Sequence, residues 1–429
     1  MAVAILFGVF AALLMIGVPV AFCLAAASVA TVMYLGLPTL VVVQQLAAGA
    51  SLTTLIAIPL FIFAGEMMMR GGISERLIAL AASLVGHLRG GLGQINVLSS
   101  LFFGGVSGSA IADVSAIGGA MIPQMVSRGF DRGYAVSVTV SAAIVALLVP
   151  PSHNLILYSA SAGGGISIAD LFAAGIVPAL LLTIALMATG AVMARRRRYA
   201  TEPFPGFRAV LRRFIAALPG LLLVGVIFGG IRAGVFTAIE SASIAVVYAV
   251  TTTAVVYRRL TWRTFLEACT GAVRTTGLIV FVIGAAASFG WLLAYLQVPA
   301  AAVSLLTSVT HDKNLLLLLM IAILLLLGTF MDLAPLIIVC TPIFLPVAQA
   351  IGVNPVHFGV ILILKGGLGL ITPPIGSVLF VGCAIGKISI GRTLRTIWPF
   401  YVAVLAVLLV VAFVPPLSLW LPSVLRAGA

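Results

Sequence analysis

Apolar residues run along this chain in long blocks parted by short polar clusters. Leu171 to Ala194, Phe214 to Ile231, Gly234 to Tyr257, Gly277 to Val298, Asn314 to Met331 and Trp398 to Val414 are the clearest blocks. A helix needs about 20 such residues to cross the hydrocarbon of a bilayer, so the pattern predicts an all-α polytopic membrane protein. The opening stretch "MAVAILFGVFAALLMIGVPVAF" has neither a charged leader nor a small-residue cleavage site, and is expected to be a retained helix. "IGVP" at Ile16 to Pro19 is a candidate break in it. Ile73 to Leu88 and Thr264 to Thr275 are amphipathic, and are expected to lie flat at the interface as arms.

The polar interruptions repeat. "GGVSGSAIADVSAIGGAMIP" (Gly104 to Pro123) breaks one apolar segment and "GTFMDLAPLIIVCTP" (Gly328 to Pro342) another; each puts an Asp ten residues before a Pro. Downstream, Pro150-Pro151 and Pro373-Pro374 each precede a short apolar helix, an Ile-Ser-Ile and a further Pro. Two halves therefore share one plan. In each, the Gly-rich element reads as a re-entrant helical hairpin, the first spanning Gly91 to Pro123 with its tip at Ser107-Gly108-Ser109. Each Pro-Pro pair reads as the break in a helix.

Charge orients the two halves. Charged residues make up 8% of the chain and hydrophobic ones 62%, against about a quarter charged in soluble proteins. The net charge of +13 sits in short connections, notably Arg89, Arg128, Arg195 to Arg198, Arg258, Arg259, Lys387 and Arg392. One topology puts these on a single side, the cytoplasm by the positive-inside rule; a nucleic-acid partner is disfavoured. The first hairpin then enters from the cytoplasm and the second, bracketed by Asp312 and Asn354, from the opposite side. Such inverted repeats are a transporter device. The expected divisions are 1–90 (scaffold and arms), 91–167 (first hairpin and broken helix), 168–270 (scaffold and basic loops), 271–390 (second hairpin and broken helix) and 391–429 (last scaffold helix). The four cysteines and four histidines are scattered, so no transition-metal site is expected.

A hairpin tip at membrane depth leaves backbone groups that lipid cannot satisfy, so it must be buried in protein or line a wet cavity. Glycines permit the tight tip. Ser107, Ser109 and Asp113 add oxygen ligands and charge, for a cation or for the tip backbone. Gly328, Thr329 and Asp332 repeat that provision, and the breaks bring Ser152 and Asn154, or Thr372 and Gly376, opposite the tips. Close helix packing alone is the competing explanation of the small residues. Glu66 and Glu240 are expected to be structural or gating residues, and His153 structural though beside a break. Lys365 stands about two turns before the second break, where a charge is costly and usually functional. It is expected either to pair with a carboxylate such as Asp332, or to sit at the second ion site, standing in for an ion, binding substrate or carrying a proton.

"IPLFIFAGEMMMRGGISERLI", "GGLGQINVLSSLFFGGVSGSAIAD", "VPPS", "GVFTAIESASIAVVYA", "GTFMDLAPLIIVCTPIFLPVA" and "GLITPPIG" together resemble the large membrane (DctM-type) subunit of tripartite ATP-independent periplasmic transporters, nearly end to end. The resemblance implies a multi-pass bacterial inner-membrane protein that is not an enzyme: an elevator-type, sodium-coupled secondary transporter of carboxylates. It implies a small four-helix membrane subunit (DctQ-type) and a periplasmic substrate-binding protein (DctP-type) as partners. Sodium sites would form from Ser107, Gly108, Ser109 and Asp113 facing Ser152, and from Gly328, Thr329 and Asp332 facing Thr372, Pro373 and Gly376. Ser109, Asn154, Thr329 and Lys365 are the substrate candidates. Lys365 and His153 depart from the family's usual neutral and apolar residues at those places. A stand-alone carboxylate symporter is the alternative. An intramembrane hydrolase using Asp113 and Asp332 leaves the repeat and the proline breaks without a role.

Overall fold

A computed structural model describes residues 1–197, 199, 203–310 and 312–427; Arg198 of the basic quartet lies outside them. All regular elements among the described residues are helical, and eight helices are long and apolar enough to cross a membrane.

The repeat is more regular than the sequence suggests. Helices Gly91–Ser107 and Ala110–Ser127 form the first hairpin; Lys313–Phe330 and Leu333–Ala350 form the second. The broken helices are Arg132–Leu147 with His153–Ser161, and Pro355–Leu370 with Ser377–Gly386. A constant offset of 223 residues carries Ser107 onto Phe330, Ser109 onto Asp332, Ser127 onto Ala350 and Leu147 onto Leu370. It also superposes the two Pro-Pro pairs, both with cis peptide bonds. The register expected from the Asp-to-Pro spacing is thereby corrected. Asp332 caps its return arm as Ser109 does, whereas Asp113 lies one turn inside the arm and is matched in the second half by Leu336. Pro123 corresponds to Pro346, not Pro342.

Polar contacts at the bundle's two ends establish the inversion. At one end Asp131, beside the base of the first hairpin, pairs with Arg197 at 2.9 Å, and Arg132 reaches the Gly386 carbonyl at 3.5 Å. At the other, Lys313 donates to the Gly352 carbonyl across the base of the second hairpin (3.1 Å), and Tyr158 donates to that of Pro355 (2.7 Å). Asp170 pairs with Arg426, also at a helix end. The hairpins thus enter from opposite ends, with the basic cluster at the first hairpin's base.

The opening stretch is two helices, Ala2–Met15 and Val20–Tyr34, parted within Ile16 to Pro19 as expected, with Gly17 at φ +88°. Other expectations change. Ile73–Val85 is a separate helix, but Thr264 to Thr275 is no separate arm: it opens an unbroken helix, Trp262–Tyr295. Helices Val298–Val309 and Pro416–Ala427 were not anticipated. Ile168–Arg197, assigned above to the scaffold, is bonded to the first half's hairpin and broken helix. Its Met187 and Gly190 carbonyls accept from Gln94 (2.9 Å) and Tyr134 (3.3 Å).

Candidate functional site

At the first tip the chain reverses through Gly108, left-handed at φ +58°. A Cβ there would come within 2.7 Å of the Pro151 carbonyl oxygen and 3.2 Å of the Ser152 Cα. Only glycine lets the tip seat on the break so closely. Asn154, the second residue of the helix after the break, donates to the Gly108 carbonyl at 3.2 Å. The second tip makes the same kind of attachment with other chemistry. Ser377, the repeat equivalent of Asn154, donates to Asp332 at 3.2 Å, and the Ile375 amide donates to the Thr329 carbonyl at 3.2 Å. Asp332 also accepts from the Leu333 amide at 3.0 Å.

The Asp113 side chain makes no hydrogen bond to tip or break. Its Oδ2 accepts from Ser100 on the opposite arm at 2.7 Å, while its Oδ1 has no partner, and the residue is fully buried. Ser100 was missed in the sequence; its only signal is a hydroxyl pair, Ser99-Ser100, within an apolar arm. Around the tip, Ser107 accepts from the Ser109 amide and Ser109 from that of Ala112, each at 3.4 Å. Ser152 donates to the Leu147 carbonyl at 2.7 Å, and Thr372 to that of Leu368 at 2.7 Å. Both hydroxyl oxygens keep lone pairs for a cation. Thr329 donates to Leu326, and Gly376 is packed against the Thr372 carbonyl. Pro373 is half-buried at the second break.

A cavity of about 80 Å³ lies between the first tip and its neighbours, lined by Ser107, Ser109 and His153 on one side and by Glu66 and Thr275 on the other. Of the four substrate candidates only Ser109 lines it. Asn154 is spent on the tip. The cavity falls below the roughly 300 Å³ at which small-molecule pockets begin. Glu66 bonds Arg70 at 3.2 Å, and Arg70 bonds Glu267 on the long helix at 2.9 Å. Glu240 is exposed and forms a capping box with Thr237, a structural role.

Lys365 does not pair with Asp332. It is fully buried, and its Nζ has no hydrogen-bond partner. The ammonium sits against Gly328, where a Cβ would come within 2.5 Å of it, next to Leu336.

Among the described residues no group of three or more His, Cys, Asp or Glu could hold a metal ion. A sequence model described as tripartite ATP-independent periplasmic transporter, DctM component, matches residues 7–417. The chain is 33% identical to the Escherichia coli 2,3-diketo-L-gulonate TRAP transporter large permease YiaN, over 97% of this chain and 98% of the other. It is 37% identical to the Vibrio cholerae sialic acid TRAP transporter large permease SiaM, over 89% and 88%. Its fold is similar to that of the Alcanivorax borkumensis YdaH transporter, with a TM-score of 0.63 and 15% identity over 88% of each chain.

Proposed function

The chain belongs to the DctM-component family of tripartite ATP-independent periplasmic transporters, inner-membrane large permease subunits, and on that premise we propose that it carries out sodium-coupled uptake of an organic carboxylate. A periplasmic binding protein of DctP type delivers the solute, and a small membrane subunit of DctQ type completes the permease. Two relatives are named for carboxylates, a diketo-gulonate and sialic acid. The observation that carries the coupling is Asp113. It is a carboxylate with one oxygen held by Ser100 and the other unpartnered, buried in the arm beneath a hairpin tip. An unpartnered carboxyl oxygen at that depth suits a hard cation, which would hold the group in its ionised form.

In this reading the hairpins and broken helices travel as one body against the scaffold. Helices Ile168–Arg197 and Ile390–Phe413 travel with them, since the first is hydrogen-bonded to that body and the second is its repeat counterpart. Helices Ala57–Arg70 and Trp262–Tyr295 stay with the scaffold, and the small cavity marks the sliding boundary.

The test is uptake by the assembled three-component system in vesicles, using the solute that its binding protein retains. An inward sodium gradient should drive accumulation, and an equal choline gradient should not. In the same vesicles, cysteines placed by A112C/T275C across the boundary and bridged by mercury should stop it. Equal accumulation in choline refutes the coupling; full activity with the bridge formed refutes the motion.

A further inference from the structure

Under the 223-residue offset the two halves match in backbone and differ in buried charge. One turn below the first tip stands Asp113, a buried carboxyl group with an unpartnered oxygen. Its counterpart is Leu336, which borders Gly328 together with the Lys365 ammonium, fully buried and unpartnered. The counterpart of Lys365 in the first half is Ala142, so no cation of the chain occupies that place there. Gly328 leaves the room the ammonium fills, since a Cβ there would come within 2.5 Å of Nζ. The carboxylate at the second tip, Asp332, is engaged by its own cap and by Ser377. At these matched positions the first half has a carboxyl group and no basic residue, and the second has a lysine and no carboxyl group.

We propose that the Lys365 side chain is a resident cation of the second half, occupying the region beneath the second tip in place of a dissolved sodium ion, so that this permease binds sodium through its first half alone. The inference rests on the sodium-coupled reading above. An ammonium and a sodium ion carry the same charge and both take oxygen and dipole ligands, but a tethered ammonium cannot leave. The second tip then needs no ion to offset its carbonyls, and opening and closing there are uncoupled from sodium. Lys365 is fully buried, so its ammonium meets no solute from where it stands.

The probe is radioactive sodium at equilibrium with the purified full-length chain in lipid nanodiscs, with choline chloride holding ionic strength. The wild-type chain should bind one sodium, lost in D113N. K365N removes the charge and supplies an amide oxygen, and should bind one more sodium than wild type. D113N combined with K365N should retain that additional ion alone. K365Q, closer to lysine in length, makes the same measurement if K365N misfolds, and thermal unfolding in sodium against choline gives a second readout in which the neutral variants gain more from sodium than wild type. Sodium bound by the wild type but not increased in folded K365N or K365Q overturns the resident-cation proposal and leaves the sodium reading standing. No sodium bound by any form overturns both.

Discussion

The two hairpin tips share a backbone and reach it by different means. In the first, a left-handed glycine and two serines make a neutral tip, and the carboxylate is set one turn deeper. In the second, the carboxylate is itself the cap, and the deeper position is apolar beside a buried ammonium. A common frame thus fixes where tips and breaks meet, while the sign of the buried charge is chosen separately in each half. Helix geometry is set by caps and prolines; the buried ionisable groups are set by a few side chains one turn away from them.

The sharpest way to break this comparison is Asp113→Ala. Removing a buried charge partner typically costs about 3–5 kcal/mol, so sodium affinity should fall by roughly two to four orders of magnitude and uptake with it. A sodium dependence of uptake unchanged in this variant places the ion elsewhere. A smaller effect separates two glycines at comparable depth. Gly108→Ala must hold a left-handed residue against the Pro151 carbonyl, at about 1–2 kcal/mol for conformation and about 1–3 kcal/mol for overpacking. Gly328→Ala meets only the end of the flexible Lys365 side chain. Thermal unfolding should register a larger loss for the first; equal losses would show that the Lys365 ammonium is held rigidly. The smallest contrast is between the two tip attachments. Asn154→Ala leaves the Gly108 carbonyl without its side-chain donor, about 1–3 kcal/mol, whereas Ser377→Ala leaves Asp332 its backbone donor, about 0.5–1.5 kcal/mol. Amide exchange at the tips should accelerate more in the Asn154 variant, and the opposite order would mean that the second tip is the weaker clasp.

The hairpins and broken helices were legible because glycine and proline act locally: a tip or a break is written where it occurs. The register between halves was misread because the second return arm carries two prolines, Pro342 and Pro346, and the Asp-to-Pro spacing matches the wrong one. What separates them is whether the Asp caps the helix or lies within it, and that depends on backbone conformation at the tip. The Ser100–Asp113 bond was invisible for a related reason. It joins two arms thirteen residues apart, and no periodicity within either arm reports which faces meet. Lys365 was recognisable as anomalous from hydropathy alone. That Asp332 does not answer its charge follows only from the cap, which consumes that carboxylate.

The helix Trp262–Tyr295 is unbroken over 34 residues, about 51 Å at 1.5 Å per residue, against a hydrocarbon core about 30 Å thick. Its apolar part fills that core, and its first turns, with Trp262, Arg263 and Glu267, project beyond the hydrocarbon as a stiff extension. Thinning of the bilayer is met by tilting such a span, and a helix with no hinge swings its projecting end when it tilts. That end carries Glu267, which holds Arg70, which in turn holds Glu66 at the wall of the cavity beside the first tip. The projecting end of the long helix is thereby connected, through two ion pairs, to the wall of the cavity beside the first tip.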